Sequence, residues 1–388
     1  MKKLNNHKLL VILAFSMILS FGLIMNVRGL TNPLLQDDYG INYSQLGTVL
    51  MFFSIGASLA SFFSGFLIET FSLKHVFRAG LVVGIIGLIS IYFTTNYYLL
   101  MLVIFIIGLG MGTTNVSANS LASRIFTKNK GKMMNLFHFF FGMGSASSQL
   151  YAPFVISLGF RWEAAYSFGV ILLIGLFGFT FIPTFPQQSD DDSSKNAKVT
   201  TILKDIRVWL FILMFSFYVG AEIGMSSWLG VYLDNIQQRT PEEIGAYMFG
   251  FFVLFTIGRL IASFIVERVG YIKTIIISAA AAMITIAIGL LGPKSFAFFF
   301  SLTGLFLAPH FATIQAVMFE VFDENVSAIV GLTLTAGSVG NILFANKLAG
   351  AVNQWLGIQL GFGIFIVYLT ILIGITIYLR QHYVQSKS

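Results

Sequence analysis

A chain of 388 residues that is 56% hydrophobic and only 10% charged is no ordinary soluble domain, in which about a quarter of residues are charged. It has no cysteine, which excludes disulfides, thiol catalysis and cysteine-based metal sites. A net charge of +7 raises the question of a nucleic-acid partner, but the basic residues are distributed as membrane topology signals, so none is expected.

The start, MKKLNNHKLLVILAF, has the charge of a signal peptide, yet its apolar run passes Ser20 without a small-residue cleavage site. It reads as a retained first helix. A span needs about 20 mainly apolar residues. Twelve are predicted, near 9–32, 43–68, 76–94, 98–123, 133–158, 164–183, 206–233, 244–266, 271–292, 295–318, 326–351 and 357–379. The one long polar stretch, Pro186 to Arg207, follows the sixth. The expected organisation is therefore all-α: an N-terminal six-helix half (1–185), a cytoplasmic linker (186–205) and a C-terminal six-helix half (206–388). Only Arg161, Arg239 and Lys294 fall in loops on the outer side, while Arg28, Arg259 and Lys347 fall within spans. The other Lys and Arg residues collect on the side of both termini, which is thereby expected to be cytoplasmic.

In chain order, the first helix ends Asn26-Val27-Arg28-Gly29-Leu30-Thr31-Asn32-Pro33. Arg28 keeps its charge in any protein setting. It can pair with Glu222, bind an anionic part of a solute, or snorkel to the outer surface. After helix two the chain reads SGFLIETFSLKHVFRAG, and after helix eight ASFIVERVGYIKTI; aligning Glu69 with Glu267 offsets them by 198 residues. Glu69, Lys74, Glu267 and Arg268 are gating candidates through cytoplasmic ion pairs, or simply topology determinants in solvated turns. Helix four, GLGMGTTNVSANS, sets Gly108, Gly112, Asn115 and Asn119 on one face. The glycines permit close packing, and the two amides either read hydroxyl groups of a solute or bond to neighbouring helices. On helix five His138, Gly142, Ser145 and Gln149 recur on one face. Helix seven, FYVGAEIGMSSWLGVYL, carries Glu222, the one acid placed deep within an apolar segment. An ionisable group at membrane depth marks a transport pathway. Tyr218 and Trp228 flank it, as sugar-stacking rings or as packing. Arg259 in helix eight suits a cytoplasmic gate or packing. Pro309-His310 interrupts helix ten, and broken helices mark transporter binding regions, which makes His310 a candidate.

The repeat after helices two and eight resembles the G-x-L-x-D-R-x-G-R-K loop of the major facilitator superfamily. The first copy keeps Gly65, Leu67, Glu69 and Lys74 but lacks the arginine and the second glycine; the second keeps Glu267, Arg268, Gly270 and Lys273. Y-V-G-A-E with S-W-L in helix seven, and H-x-x-F-G-x-G in helix five, resemble the fucose/glucose–proton symporter branch. The resemblance implies two pseudo-symmetric six-helix halves that rock around a solute held between them. It further implies a proton-coupled sugar transporter in the cell membrane, with Glu222 carrying the proton or binding hydroxyls. Two acids of that branch are missing, at Asn26–Arg28 in helix one and at Met111-Gly112 in helix four, which weakens symport specifically. Proton-driven efflux of drugs or metabolites is the alternative, and a sensing receptor on a transporter scaffold ranks behind both. No enzyme activity, cofactor or metal is expected. The expected partners are a small solute, protons and the bilayer, around a monomer.

Overall fold

The computed structural model describes residues 2–127, 130–186, 202–322 and 326–383; most of the expected linker, 187–201, lies outside them. Every regular element among the described residues is helical. In lipid this follows from the backbone, whose polar groups find no water and must be satisfied within each segment. Nine helices among the described residues are long and apolar enough to cross a membrane, and Ala164–Phe179 is a shorter apolar one.

The first span is broken. Helix α1 (Lys2–Asn26) gives way at Val27 to α2 (Arg28–Tyr39), which contains Pro33. Proline has no amide to offer its preceding turn. Here the Leu30 and Thr31 amides both turn to the Val27 carbonyl, which also accepts from Thr31 Oγ1 at 3.3 Å. The chain continues through α3 (Tyr43–Phe71), α4 (Leu73–Ser90), α5 (Tyr97–Ile125), α6 (Lys130–Ser157) and α7 (Ala164–Phe179). After the linker come α8 (Ile206–Asn235), α9 (Pro241–Val269) and α10 (Tyr271–Leu291). The tenth expected span is split at Ala308-Pro309 into α11 (Phe298–Leu307) and α12 (His310–Val321). Next follow α13 (Val326–Val339), a π-helical run over Gly340–Leu348, α14 (Ala349–Leu356) and α15 (Ile364–His382).

Two compact units result. One comprises Met1–Ile41, Thr48–Asp192 and Pro241–Phe249; the other comprises Asn42–Gly47, Ser193–Thr240 and Gly250–Ser388. In the first, glycines bring helix backbones together: Gly144 of α6 meets the Leu19 carbonyl of α1, and Gly108 and Gly112 of α5 meet the Phe53 and Ala57 carbonyls of α3. Small residues are what lipid-embedded helices need to approach closely. In the second unit Gly304 of α11 meets the Phe251 carbonyl of α9, and Gly340 meets that of Ser216 in α8. Large side chains such as Phe62, Phe66 and Ile277 point outward, as a lipid-facing surface requires.

The 198-residue repeat extends to the backbone. Gly40, Ser72, Gly159, Gln238, Gly270 and Gly357 have positive φ, and among the described residues they fall into three pairs, each one repeat apart. At the loop before α4 and its counterpart before α10, Ser72 has φ 74°, ψ 150° and Gly270 has φ 91°, ψ 142°. This region is one that essentially only glycine occupies without strain. Ser72, the position where the first copy lacks its second glycine, is thus held in a glycine conformation. Ser72→Gly is expected to raise stability by up to about 1 kcal/mol, offset in part by loss of the 2.9 Å Ser72 Oγ–His75 Nδ1 bond. Gly270→Ser is expected to lower it by about 1–2 kcal/mol. Thermal unfolding of the two purified variants checks the opposite signs.

Candidate functional site

The polar side chains gather in small groups within each unit. In the second unit, Tyr218 and Glu222 lie one turn apart on α8, so they share a face. Arg259 of α9 is the guanidinium that acts electrostatically on Glu222, and its cation also sits 4.5 Å from the centre of the Phe255 ring. The fully buried Tyr218 hydroxyl lies beside both charges and, among the described residues, closes no direct hydrogen bond. His310, also fully buried, stacks on the Tyr218 ring at 5.5 Å and 19°. The break at Pro309 places His310 at the first position of α12. Its Nδ1 lies 3.0 Å from the Leu307 carbonyl, which can only accept, so Nδ1 carries a hydrogen. Its Nε2 lies 3.3 Å from Ser278 Oγ of α10, and that hydroxyl is also 2.7 Å from the Thr274 carbonyl.

Trp228 is placed differently from these. Its ring is fully buried, and its Nε1–H donates to the Ala345 carbonyl at 2.9 Å. It joins α8 to the π-helical run, where Tyr368 donates to the Phe344 carbonyl at 3.0 Å.

The first unit holds Arg28, Asn115, Asn119 and Gln149. Arg28 opens α2 directly after the break at Val27. Its guanidinium lies 5.4 Å from the centre of the Phe53 ring and interacts with Tyr166 of α7, whose hydroxyl is bonded to Thr31 at 3.0 Å. Gln149 Nε2 donates to the Asn26 carbonyl at 2.7 Å, and Asn26 Nδ2 donates to Ser145 Oγ at 2.9 Å, so α1 and α6 are bonded as well as packed. Gln149 Oε1 is buried without a partner among the described residues. Asn119 Nδ2 donates to Asn115 Oδ1 at 3.0 Å and to its carbonyl at 2.9 Å, so the two amides face the same way and bond to each other.

The gating candidates Glu69, Glu267 and Arg268 are exposed and Lys74 is half-buried; among the described residues none of them forms an ion pair. Arg259, a gate or packing candidate in the sequence, is the guanidinium that acts on Glu222. Outside the spans, ion pairs do form. Arg161 bridges Asp38 at 2.9 Å and Glu163 at 2.7 Å, and these carboxylates hold it above the ordinary arginine range. Asp205 caps α8 through the Arg207 amide at 2.8 Å, and its bonds to the Arg207 guanidinium hold it below the usual carboxylate range.

Asn26, Tyr166 and Ser278 complete these clusters and carry no distinctive sequence signal. Asn26 precedes a helix break that periodicity does not reveal, Tyr166 reads as an interfacial aromatic, and Ser278 hides in the small-residue run ISAAAAM. Two cavities are present in the first unit. One of about 30 Å³ is bounded by Arg28, Asn32, Phe53 and Tyr166 among aliphatic side chains. The other, of about 890 Å³, lies among α3, α4 and α5 and is mostly apolar, with Thr70, His75 and Thr113 its polar members. It contains none of the expected site residues.

A sequence profile of the Major Facilitator Superfamily matches residues 10–239 and 235–388. A TsgA homolog from Buchnera aphidicola is 23% identical over 350 residues, 88% of each chain. Its counterpart in Yersinia pestis is 20% identical over 327 residues, 83% of this chain and 82% of that one. Among solved structures, a variant of the nucleoside transporter NupG superposes with a TM-score of 0.83 at 16% identity, covering 96% of this chain and 99% of the other. The Escherichia coli fucose:proton symporter FucP gives 0.64 at 18% identity, with the same coverage.

Proposed function

The chain belongs to the Major Facilitator Superfamily and is a membrane transporter, not an enzyme; on that premise we propose that it moves a small, polar, sugar-like solute together with protons across the cell membrane. Transport proceeds by alternating access, with residues 1–185 rocking against 206–388 about the 186–205 linker. The chain works as a monomer with twelve spans and both termini cytoplasmic.

The observation that carries this reading is the Glu222 cluster. A carboxylate on an apolar helix, with Arg259 and Tyr218 acting on it and His310 stacked on Tyr218, is a place where a proton can be taken up and released at membrane depth. Tyr218 and Glu222 offer polar groups to solute hydroxyls, as do Asn115, Asn119 and Gln149. Likeness in fold to a fucose:proton symporter and a nucleoside transporter supports a hydroxyl-bearing solute. Trp228 serves packing, while Glu69, Lys74, Glu267 and Arg268 attract one another only in a conformation that brings them together.

The test is proton uptake or release by purified protein on addition of a panel of sugars and lipophilic cations. A sugar-dependent proton signal is expected. The open apolar groove along α3, α4 and α5 favours one other reading, efflux of apolar compounds by proton antiport. A signal with lipophilic cations alone establishes that reading in place of symport, and sugar binding with no proton movement makes the protein a uniporter.

A further inference from the structure

Arg28 raises a question of charge balance. Its Nη1 is sealed from the surroundings, and among the described residues its guanidinium has no hydrogen bond and no ion pair. Arginine does not give up its proton in proteins, so it cannot escape the problem by becoming neutral. Its nearest polar contact, Tyr166, is uncharged and already bonded to Thr31. The Phe53 ring supplies only a weak attraction at 5.4 Å. Arg28 as a whole is half-buried, but its sealed Nη1 edge loses hydration with nothing in return, and such groups are otherwise paired. The Asp38 and Glu163 carboxylates are taken by Arg161.

Beside the guanidinium is a cavity of about 30 Å³, walled elsewhere by Leu35, Val49, Leu50 and other apolar side chains. It is large enough for about one water-sized group and far too small for a sugar ring. An apolar wall with a single fixed cation selects a small anionic group, which gains Coulombic attraction in a medium of low dielectric that a hydroxyl cannot gain. A planar carboxylate also matches the fork of guanidinium donors.

We propose that Arg28 is an anion subsite and that the transported solute is an acidic, hydroxyl-bearing molecule of the hexuronate class, with its carboxylate held by Arg28 and Asn32 alongside. This rests on the transporter reading above and narrows its substrate class. It also bears on energetics. A monoanion carried with one proton moves no net charge, so its uptake is insensitive to membrane potential, whereas a neutral sugar carried with a proton moves one charge.

The experiment compares glucuronate with glucose in proteoliposomes of the full chain, wild type against Arg28→Gln and Arg28→Lys, with potential clamped at zero or inside-negative. Glucuronate is expected to bind about tenfold to a hundredfold more tightly than glucose, as one charge-assisted contact provides. Arg28→Gln is expected to erase that preference while glucose affinity stays within about twofold, and Arg28→Lys to restore part of it. Equal affinities for the two probes, or glucuronate affinity unchanged in Arg28→Gln, overturn the proposal. So does recovery of wild-type behaviour in Arg28→Gln/Glu222→Gln, which makes Glu222 the counter-charge. Proton-coupled uptake of glucose with no preference for glucuronate removes the anion subsite alone; no proton-coupled uptake of either probe removes the symport reading itself. Circular dichroism and gel filtration of each variant separate loss of binding from loss of fold.

Discussion

Glu222→Gln is expected to end concentrative uptake while leaving solute binding and counterflow exchange in place. Glutamine keeps the volume of the side chain and can still hydrogen-bond, but it cannot gain or lose a proton. Under an imposed gradient of one pH unit, coupling one proton to one solute sustains about tenfold accumulation for a solute moved without net charge. The variant is expected to stop at equal concentrations on both sides. Glu222→Asp retains the ionisation but withdraws the carboxylate by one methylene from Tyr218 and Arg259, so coupled but slower uptake is expected. Radiolabelled uptake at clamped potential reads all three proteins. Tenfold accumulation by Glu222→Gln would remove the proton-carrying role argued from this cluster. The glutamine variant also leaves Arg259 without its counter-charge, and a modest fall in thermal stability is expected with it.

Trp228→Ala is expected to be the most destabilising single change in the second unit. The ring is fully buried, and its one donor reaches the Ala345 carbonyl at 2.9 Å. Truncating a buried aromatic ring costs about 3–5 kcal/mol in soluble proteins. Here the reference chain already lies in lipid, so part of the transfer contribution is absent and the lower value, about 3 kcal/mol, is expected. Trp228→Phe keeps most of the packing and loses the donor, at about 1 kcal/mol. Thermal unfolding in detergent measures both. If Trp228 instead stacked on solute, Trp228→Phe would weaken binding without lowering the unfolding temperature; the expectation is the reverse.

Hydropathy located the helical segments well, because a lipid-facing surface needs long apolar runs and leaves little room for other signals. The 198-residue offset, visible first at Glu69 and Glu267, is carried by Gly40 and Gln238 and by Gly159 and Gly357 as well. Those pairs are silent in the sequence, since glutamine and serine stand at two of the six positions. The break at Val27 was not legible either: Pro33 announces a kink, but the place where the hydrogen-bond ladder parts depends on Thr31 bonding back to Val27. The same holds for the π-helical run Gly340–Leu348, which has no breaker of its own beyond one glycine. In the site, Glu222 stood out because an acid in an apolar run is rare. Tyr218, Arg259 and His310 stand in the sequence as separate candidates, but their grouping was not legible, because helical periodicity fixes which residues share a face and says nothing about which face meets another helix. Arg259 therefore read as part of a gate, and Ser278 was invisible among alanines.

The Ser278 hydroxyl has three acceptors within reach, the His310 Nε2 lone pair at 3.3 Å and the Thr274 and Ile275 carbonyls at 2.7 and 3.4 Å. With a neutral ring the hydroxyl turns its hydrogen to Nε2. With a protonated ring, Nε2–H donates to Ser278 Oγ while the hydroxyl turns to Thr274. In both arrangements Nε2 and the Ser278 hydroxyl keep a partner, and the two differ by one proton and one bond rotation. Ser278 is therefore a hydroxyl that can donate to the His310 ring or accept from it in place, and Ser278→Ala removes that adaptability while keeping the histidine.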